Sequence, residues 1–348
     1  LTAAARTRLI FLYFVGDDTL TDHHNGRLAI VWAPDEARTA MYAERLHAKL
    51  CNVHYLGYKR PLFAPFKYPA QWLKTLQILF REKPRVVYVT NPPVFAAWTV
   101  ALYGFFSGAQ FVMDTHSPAL YMWKWEWSVP LQRIAARWAK LNIVDQERFK
   151  ALFESWGAKA VVLERPPKQI DTSTLKLEPN AEWYDIAVVN TFAVDEPLEP
   201  ILDAARELPD VRFLVMGDLK LAKPGLVQSA PKNVVFTDYL RKDAYWTCLY
   251  NAQAVMTLTT FPHSLLGGAQ DGVALRKPLL ISRQPALTEY FYKGAVFVEH
   301  TAASIVVGVK EVRVRQEALV QEVGELAIER AERWNRAFAE VEKAFGGS

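Results

Sequence analysis

The chain has 348 residues, with 41 Lys and Arg against 37 Asp and Glu, a formal charge of +4 and a pI near 8.9. That excess is too mild to mark a nucleic-acid-binding protein, although it is compatible with weak attraction to an anionic membrane face. Half the residues are apolar and 22% are charged, a globular balance, and single cores stop growing near ~250–300 residues, so about two domains are expected.

The longest apolar stretch, Val94 to Gly108, is interrupted by Gly104 and is too short for a bilayer-spanning helix. Cys51 and Cys248 lie far apart, which fits two reduced, buried thiols in a cytosolic protein. Residues 1–26 combine an apolar patch, Leu9 to Val15, with acids and His23-His24. A small-residue cleavage site is missing, so an N-terminal extension is expected rather than a signal segment. His23 and His24 beside Asp22 could hold a metal, but adjacent residues do not share a helical face. No metal site is expected.

From Arg27 onward strands and helices alternate. RLAIVWA is a buried strand, Asp35 is placed to cap a helix ending near Leu50, and Cys51 to Leu56 reads as a second strand. A loop with Pro61, Pro65 and Pro69 precedes a helix over 70–82, and RVVYVT, ending at Thr90, is a third strand. A helix from Val94 to Phe106 leads to a fourth strand, Phe111 to Asp114. Such alternation predicts a parallel, doubly wound sheet whose ligands collect at the carboxyl ends of the strands. Two of those ends are polar: Asn91-Pro92-Pro93, and Asp114-Thr115-His116-Ser117. On residue chemistry alone, Asp114 and Ser117 equally suit loop and helix caps.

The segment LYMWKWEWS alternates Trp123, Trp125 and Trp127 with Lys124 and Glu126. If extended, it puts three indoles on one side, suited to a membrane interface, a sugar-stacking surface or a packed corner. The next helix, from Pro130 to Leu141, adds Arg133, Arg137 and Lys140; with Lys74 and Arg81 it could form a basic aromatic edge. A fifth strand, a helix and a sixth strand end at Leu163, and the proline-rich stretch 166–180 reads as a linker.

Asp185 to Val189 restarts the alternation. Strands follow at Arg212 to Met216, Asn233 to Phe236 and Ala254 to Leu258. The segment from Thr257 to Glu289 then reads strand, loop, helix, strand, with His263, Ser264, Gly267-Gly268, Ala269 and Asp271 in the loop and helix. Glycines and unpaired N–H groups at such a helix start can meet a phosphate, and an acid one turn further in could accept bonds from sugar hydroxyls. An ordinary βαβ unit without ligand has the same layout. The tail 314–348 is a long helical run.

This layout resembles the GT-B glycosyltransferases, especially family four of the sequence-based classification. Their donor segment reads E-G-F-G-L-P-x-x-E-A followed by G-x-P. Registering Lys277-Pro278 on the tail puts His263 at the first glutamate and Asp271 at the second. A bacterial subgroup reading T-T-x-x-H, G-A-x-E-A and K-P is more similar still. The NPP and DTHS motifs, and the stretches Asn190 to Glu199, Val211 to Gly217 and Val235 to Leu240, extend the resemblance over both halves.

The resemblance implies an α/β protein of two Rossmann-like domains facing across a cleft, the GT-B arrangement, with a C-terminal helix returning to the first domain. It implies an acceptor domain over 27–165, a nucleotide-sugar domain over 181–313, and a returning helix over 314–348, in which Trp334, Phe338, Val341 and Phe345 share a face; a dimer helix is the competing reading. Thr191 and Phe192 are then expected on the phosphate side and Tyr239 and Leu240 near the base. Asp114 is the candidate general base and His116 the donor-sugar contact, while Asn91 and the three tryptophans take acceptor or membrane roles. The family's diphosphate-neutralising Arg and Lys are not cleanly placed; Arg241, Lys242 and Arg276 are the nearest candidates.

The implied activity is metal-independent transfer of a hexose from a UDP- or GDP-sugar to a lipid-linked or saccharide acceptor at the cytoplasmic membrane face, without a cofactor. A non-catalytic sugar-nucleotide-binding module is the alternative. A nicotinamide enzyme is disfavoured because no G-x-G-x-x-G follows an early strand.

Overall fold

A computed structural model describes residues 26–55, 61–178 and 182–346. The expected extension over 1–26, with its histidine pair, therefore lies outside the described residues apart from Gly26. Two compact units divide the chain. The first holds the residues up to Ile143, Leu152–Ala160 and those from Val341 onward; the second holds Val144–Ala151 and Val161–Glu340. The described part of the proline-rich stretch, residues 166–178, thus falls in the second unit.

The first sheet is built from β1 (Arg27–Val31), α1 (Ala37–Arg45), β2 (Lys49–Asn52), α2 (Ala64–Glu82), β3 (Val86–Asn91), α3 (Val94–Ser107) and β4 (Gln110–Thr115). Three helices, α4 (Pro118–Tyr121), α5 (Trp123–Glu126) and α6 (Val129–Trp138), precede β5 (Leu141–Val144), α7 (Glu147–Ser155) and β6 (Ala160–Val162). Its strand order is β2-β1-β3-β4-β5-β6, and the pairings of β1 with β2 and β3, and of β4 with β3 and β5, are parallel. β3 is buried along its whole length, as expected when helices cover both faces of a parallel sheet.

Several local expectations are corrected. Glu36, not Asp35, caps α1, its carboxylate accepting from the Arg38 and Thr39 N–H groups. α2 starts at Ala64, ahead of the expected start, and contains both Pro65 and Pro69. Pro65 stands in the first turn, where its missing N–H costs nothing, and Pro69 removes a single bond near the start of a 19-residue helix. The tryptophan segment is helical over Trp123–Glu126, so the condition for three indoles on one side, an extended chain, is not met.

The second unit contains β7 (Tyr184–Val189), α8 (Glu199–Arg206), β8 (Val211–Met216), β9 (Val234–Asp238), α9 (Lys242–Asn251), β10 (Ala254–Thr257), α10 (Gly267–Ala274) and β11 (Leu279–Ser282). It continues with α11 (Pro285–Tyr290), β12 (Ala295–Val298), α12 (Ala302–Val314) and α13 (Gln316–Ala344). The order is β12-β11-β10-β7-β8-β9, again parallel. Ile186, Phe213 and Leu280 pack on one face against Ile201 and Ile305; Ala187, Val255 and Leu279 pack on the other against Leu249 and Ala269. Each such aliphatic or aromatic burial is worth about 1.5–3 kcal/mol. The chain runs outward through β7, β8 and β9, then returns to place β10 on the other side of β7. That reversal opens a crevice at the carboxyl ends of β7 and β10, where ligands of such sheets bind.

The closing residues belong to the first unit: Arg27 donates from Nη2 to the Gly346 carbonyl at 2.9 Å, and Val341 and Phe345 are buried. Trp334, by contrast, donates to the Glu164 carbonyl at 3.2 Å within the second unit. No helix among the described residues is long and apolar enough to cross a membrane. Among the same residues no cluster of three or more His, Cys, Asp or Glu is placed to hold a metal ion.

Candidate active site

In the second unit the loops after β7 and β10 meet at the crevice. Thr259 Oγ1 donates to Asp195 Oδ2 at 2.7 Å, and the Thr260 N–H donates to the Asp195 carbonyl at 2.7 Å. Thr191 directs both its N–H and its hydroxyl to Glu196, and Phe192 adopts a left-handed φ of 59° with its N–H bonded to Asn190 Oδ1. Gly217 allows this turn, because a Cβ there would stand 2.0 Å from the Asn190 carbonyl oxygen. Tyr239 is exposed and Leu240 half-buried at the carboxyl end of β9.

α10 begins at this edge with its start at Gly267 uncapped by any side chain. The two glycines differ. Gly267 is exposed, with open space where a Cβ would go, whereas a Cβ on buried Gly268 would meet the Val189 side chain at 2.7 Å. Gly267 therefore leaves the helix start accessible, and Gly268 lets α10 lie against β7; Ala269 is buried behind it. The N–H groups of an uncapped first turn attract an anion.

His263 and Ser264 are half-buried in the preceding loop. Arg148 Nη1 lies 3.3 Å from His263 Nε2, and Gln146 Nε2 donates to the His263 carbonyl at 3.0 Å. Burial, and then the Arg148 guanidinium, hold the imidazole below its ordinary pKa. The cation beside this loop is thus Arg148, which α7 brings against His263. Arg148 escaped sequence reasoning because it sits more than a hundred residues upstream. Arg241 and Lys242 begin α9 at the carboxyl edge of the sheet. Arg276 instead follows the end of α10 and, with Lys277, lines a cavity of about 540 Å³ beside the amino end of β11. It is misplaced for a diphosphate in the crevice.

Asp271 does not present a free carboxylate. It is buried, Lys168 bonds Oδ1, and the Tyr245 hydroxyl donates to Oδ2 at 2.7 Å. Burial, then the Asp271 charge, push the Tyr245 hydroxyl well up, so it remains the proton donor of the pair.

In the first unit Asp114, at the end of β4, is fully buried. Arg38 grips it through Nε to Oδ2 at 2.9 Å and Nη2 to Oδ1 at 2.8 Å, and the Tyr88 hydroxyl donates to Oδ2. Burial pushes the carboxyl up, but Arg38, then His116 and Tyr88, outweigh it and hold it below its ordinary value. Asp114, expected as a general base, is thus buried with both carboxylate oxygens bonded by Arg38 and one also by Tyr88. His116 is 25% exposed, with Nε2 at 3.4 Å from Asp114 Oδ2 and without a hydrogen bond there. Asn91, offered as an acceptor contact, is also fully buried; its amide donates to Gln132 Oε1 at 2.9 Å and Thr115 Oγ1 at 3.3 Å, tying β3 to α6. Trp123 and Trp127 are exposed and Trp125 is half-buried.

No family model matches the chain, and no curated protein matches it. Solved structures do. A glycosyltransferase from Rickettsia africae superposes with a TM-score of 0.70 at 13% identity, covering 92% of this chain and 91% of that one. Alr3699/HepE of Anabaena, solved with UDP, gives 0.68 at 14% identity over 91% and 92%. The sucrose-phosphate synthase of Thermosynechococcus elongatus gives 0.62 at 12% identity over 92% and 88%. The chain has the two-sheet α/β fold of GT-B proteins.

Proposed function

We propose that the protein is a glycosyltransferase that moves a hexose from a UDP- or GDP-sugar to an acceptor hydroxyl. The acceptor is a lipid-linked or saccharide precursor at the cytoplasmic membrane face, and the transfer needs no metal or cofactor. The observation that carries this reading is the uncapped start of α10 at the β7/β10 reversal, with Arg148 of α7 against His263 in the loop before it. A diphosphate there meets backbone N–H groups and one guanidinium, which also stabilise the charge that grows on the leaving group. The likeness of fold to a protein solved with UDP supports the choice of ligand by analogy.

Thr191, Phe192, Tyr239, Leu240, Ser264 and the first turn of α10 form the donor half-site. In the acceptor half-site His116 takes the proton. With Nε2–H turned to Asp114, Nδ1 remains to receive it, and the buried carboxylate stabilises the imidazolium. A single displacement with inversion follows.

Calorimetric titration with UDP and GDP tests the donor half-site. Binding of one of them is expected, weakened about 10–100-fold in Arg148→Ala, the worth of one hydrogen bond to a charged group. No binding of either nucleotide, or unchanged affinity in the variant, contradicts the assignment. A non-catalytic binding module is the second reading, favoured by the internal pairing of both Asp114 and Asp271. It predicts nucleotide binding with neither transfer nor hydrolysis of the donor.

A further inference from the structure

The outer side of α2, α3 and α6 in the first unit is covered with apolar side chains exposed to solvent. On α2 Phe66, Leu73 and Phe80 recur every seven residues, on one face, and all are exposed. On α3, a 14-residue helix without a charged residue, Phe105 and Phe106 are 83% and 74% exposed, with Leu102 one turn back. Ring contacts join the helices into one surface: Phe80 to Tyr103 at 5.4 Å links α2 to α3, and Trp98 to Trp138 at 4.9 Å links α3 to α6. Between α3 and the end of α6 the surface dips into a cavity of about 480 Å³, lined by Leu102, Phe105, Trp138 and Lys140 among others. Scattered apolar side chains are ordinary on a protein surface, but a continuous patch of this kind marks an interaction face.

Charge selects its partner. Between residues 61 and 140 there are nine Lys and Arg against three Asp and Glu, one of them the buried Asp114. The whole chain has 41 against 37, so the remainder is slightly acidic and the basic excess is concentrated here. Six of the eleven tryptophans fall in the same span, and Trp123, on the short helix before α6, is 84% exposed. Indoles and phenyl rings with long basic side chains at their margins suit the boundary between headgroups and acyl chains. We infer that this face docks on an anionic lipid bilayer, with Phe105, Phe106 and Leu73 entering the acyl boundary and Lys124, Arg133 and Lys140 meeting lipid phosphates.

Vesicle flotation of the full chain, with no donor or acceptor added, tests this independently of sugar transfer. The protein is expected to float with phosphatidylcholine vesicles containing phosphatidylglycerol, and to bind pure phosphatidylcholine about tenfold less or weaker. The Leu73→Ser/Phe105→Ser/Phe106→Ser and Arg133→Glu/Lys140→Glu variants should each lose on the order of tenfold in binding. Their melting temperatures should stay near wild type, because the altered side chains are exposed. Failure of the wild type to bind either vesicle overturns the inference, as does unchanged binding by both variants. So does a concentration-dependent dimer, seen by light scattering, that the triple substitution abolishes without affecting flotation.

Discussion

Asp114 is a buried charge held by its partners. Its carboxylate is neutralised by Arg38 and bonded by Tyr88, and removing one partner of such a pair costs roughly 3–5 kcal/mol because the other stays buried and unpaired. Asp114→Asn should therefore lower stability by about that amount at pH 7, measured by urea unfolding. The carboxyl's folded pKa lies below its ordinary 3.8. Its stabilisation is thus present above that value and is lost as pH falls through the lower, folded one. The gap between variant and wild type should accordingly narrow in acid; a gap that widened there would contradict the pairing. His116→Gln should slow sugar transfer about 10²–10⁴-fold, the usual share of a general base, while the variant remains folded. Near-wild-type transfer would place the proton acceptor elsewhere.

Among the elements, α10 separates packing from binding within two consecutive residues. Gly268→Ala puts a methyl 2.7 Å from Val189 Cβ, and overpacking of this kind costs about 1–3 kcal/mol. Gly267→Ala meets open space and should be nearly neutral by the same denaturation measurement. Adding Val189→Ala to Gly268→Ala removes the contacts at 2.9 and 3.0 Å with Val189 Cγ1 and Cγ2, though not that with Cβ, and should recover part of the loss; fully additive losses would contradict the Cγ contacts. The sequence pattern made this βαβ unit legible because β10 and β11 are short continuous apolar runs flanking a glycine pair. It did not distinguish the two glycines, since that depends on which one faces β7. In helix α2 the prolines mimic breakers in the sequence, yet both stand near its start, where few backbone bonds are lost. In the tryptophan segment three alternating residues are too short a span to separate strand from helix periodicity, and the structure makes it helical.

On the scale of the whole molecule, the order of strands and helices is readable because the inner strands β3, β10 and β11 are fully buried and mostly apolar. The polar pairings are not. Arg38 with Asp114, Lys168 with Asp271, and Arg148 with His263 join residues 76, 103 and 115 positions apart, and no local pattern marks such partners. The central claim is that nucleotide binds the second unit at the β7/β10 reversal, and amide hydrogen exchange with and without UDP or GDP tests it most directly. A ligand held there slows exchange of the amides that face it. Exchange is expected to slow in peptides covering Thr191–Glu196 and His263–Ala269, while those spanning β1 to β4 remain unchanged. Protection confined to the first unit, or none from either nucleotide at saturating concentration, would contradict it.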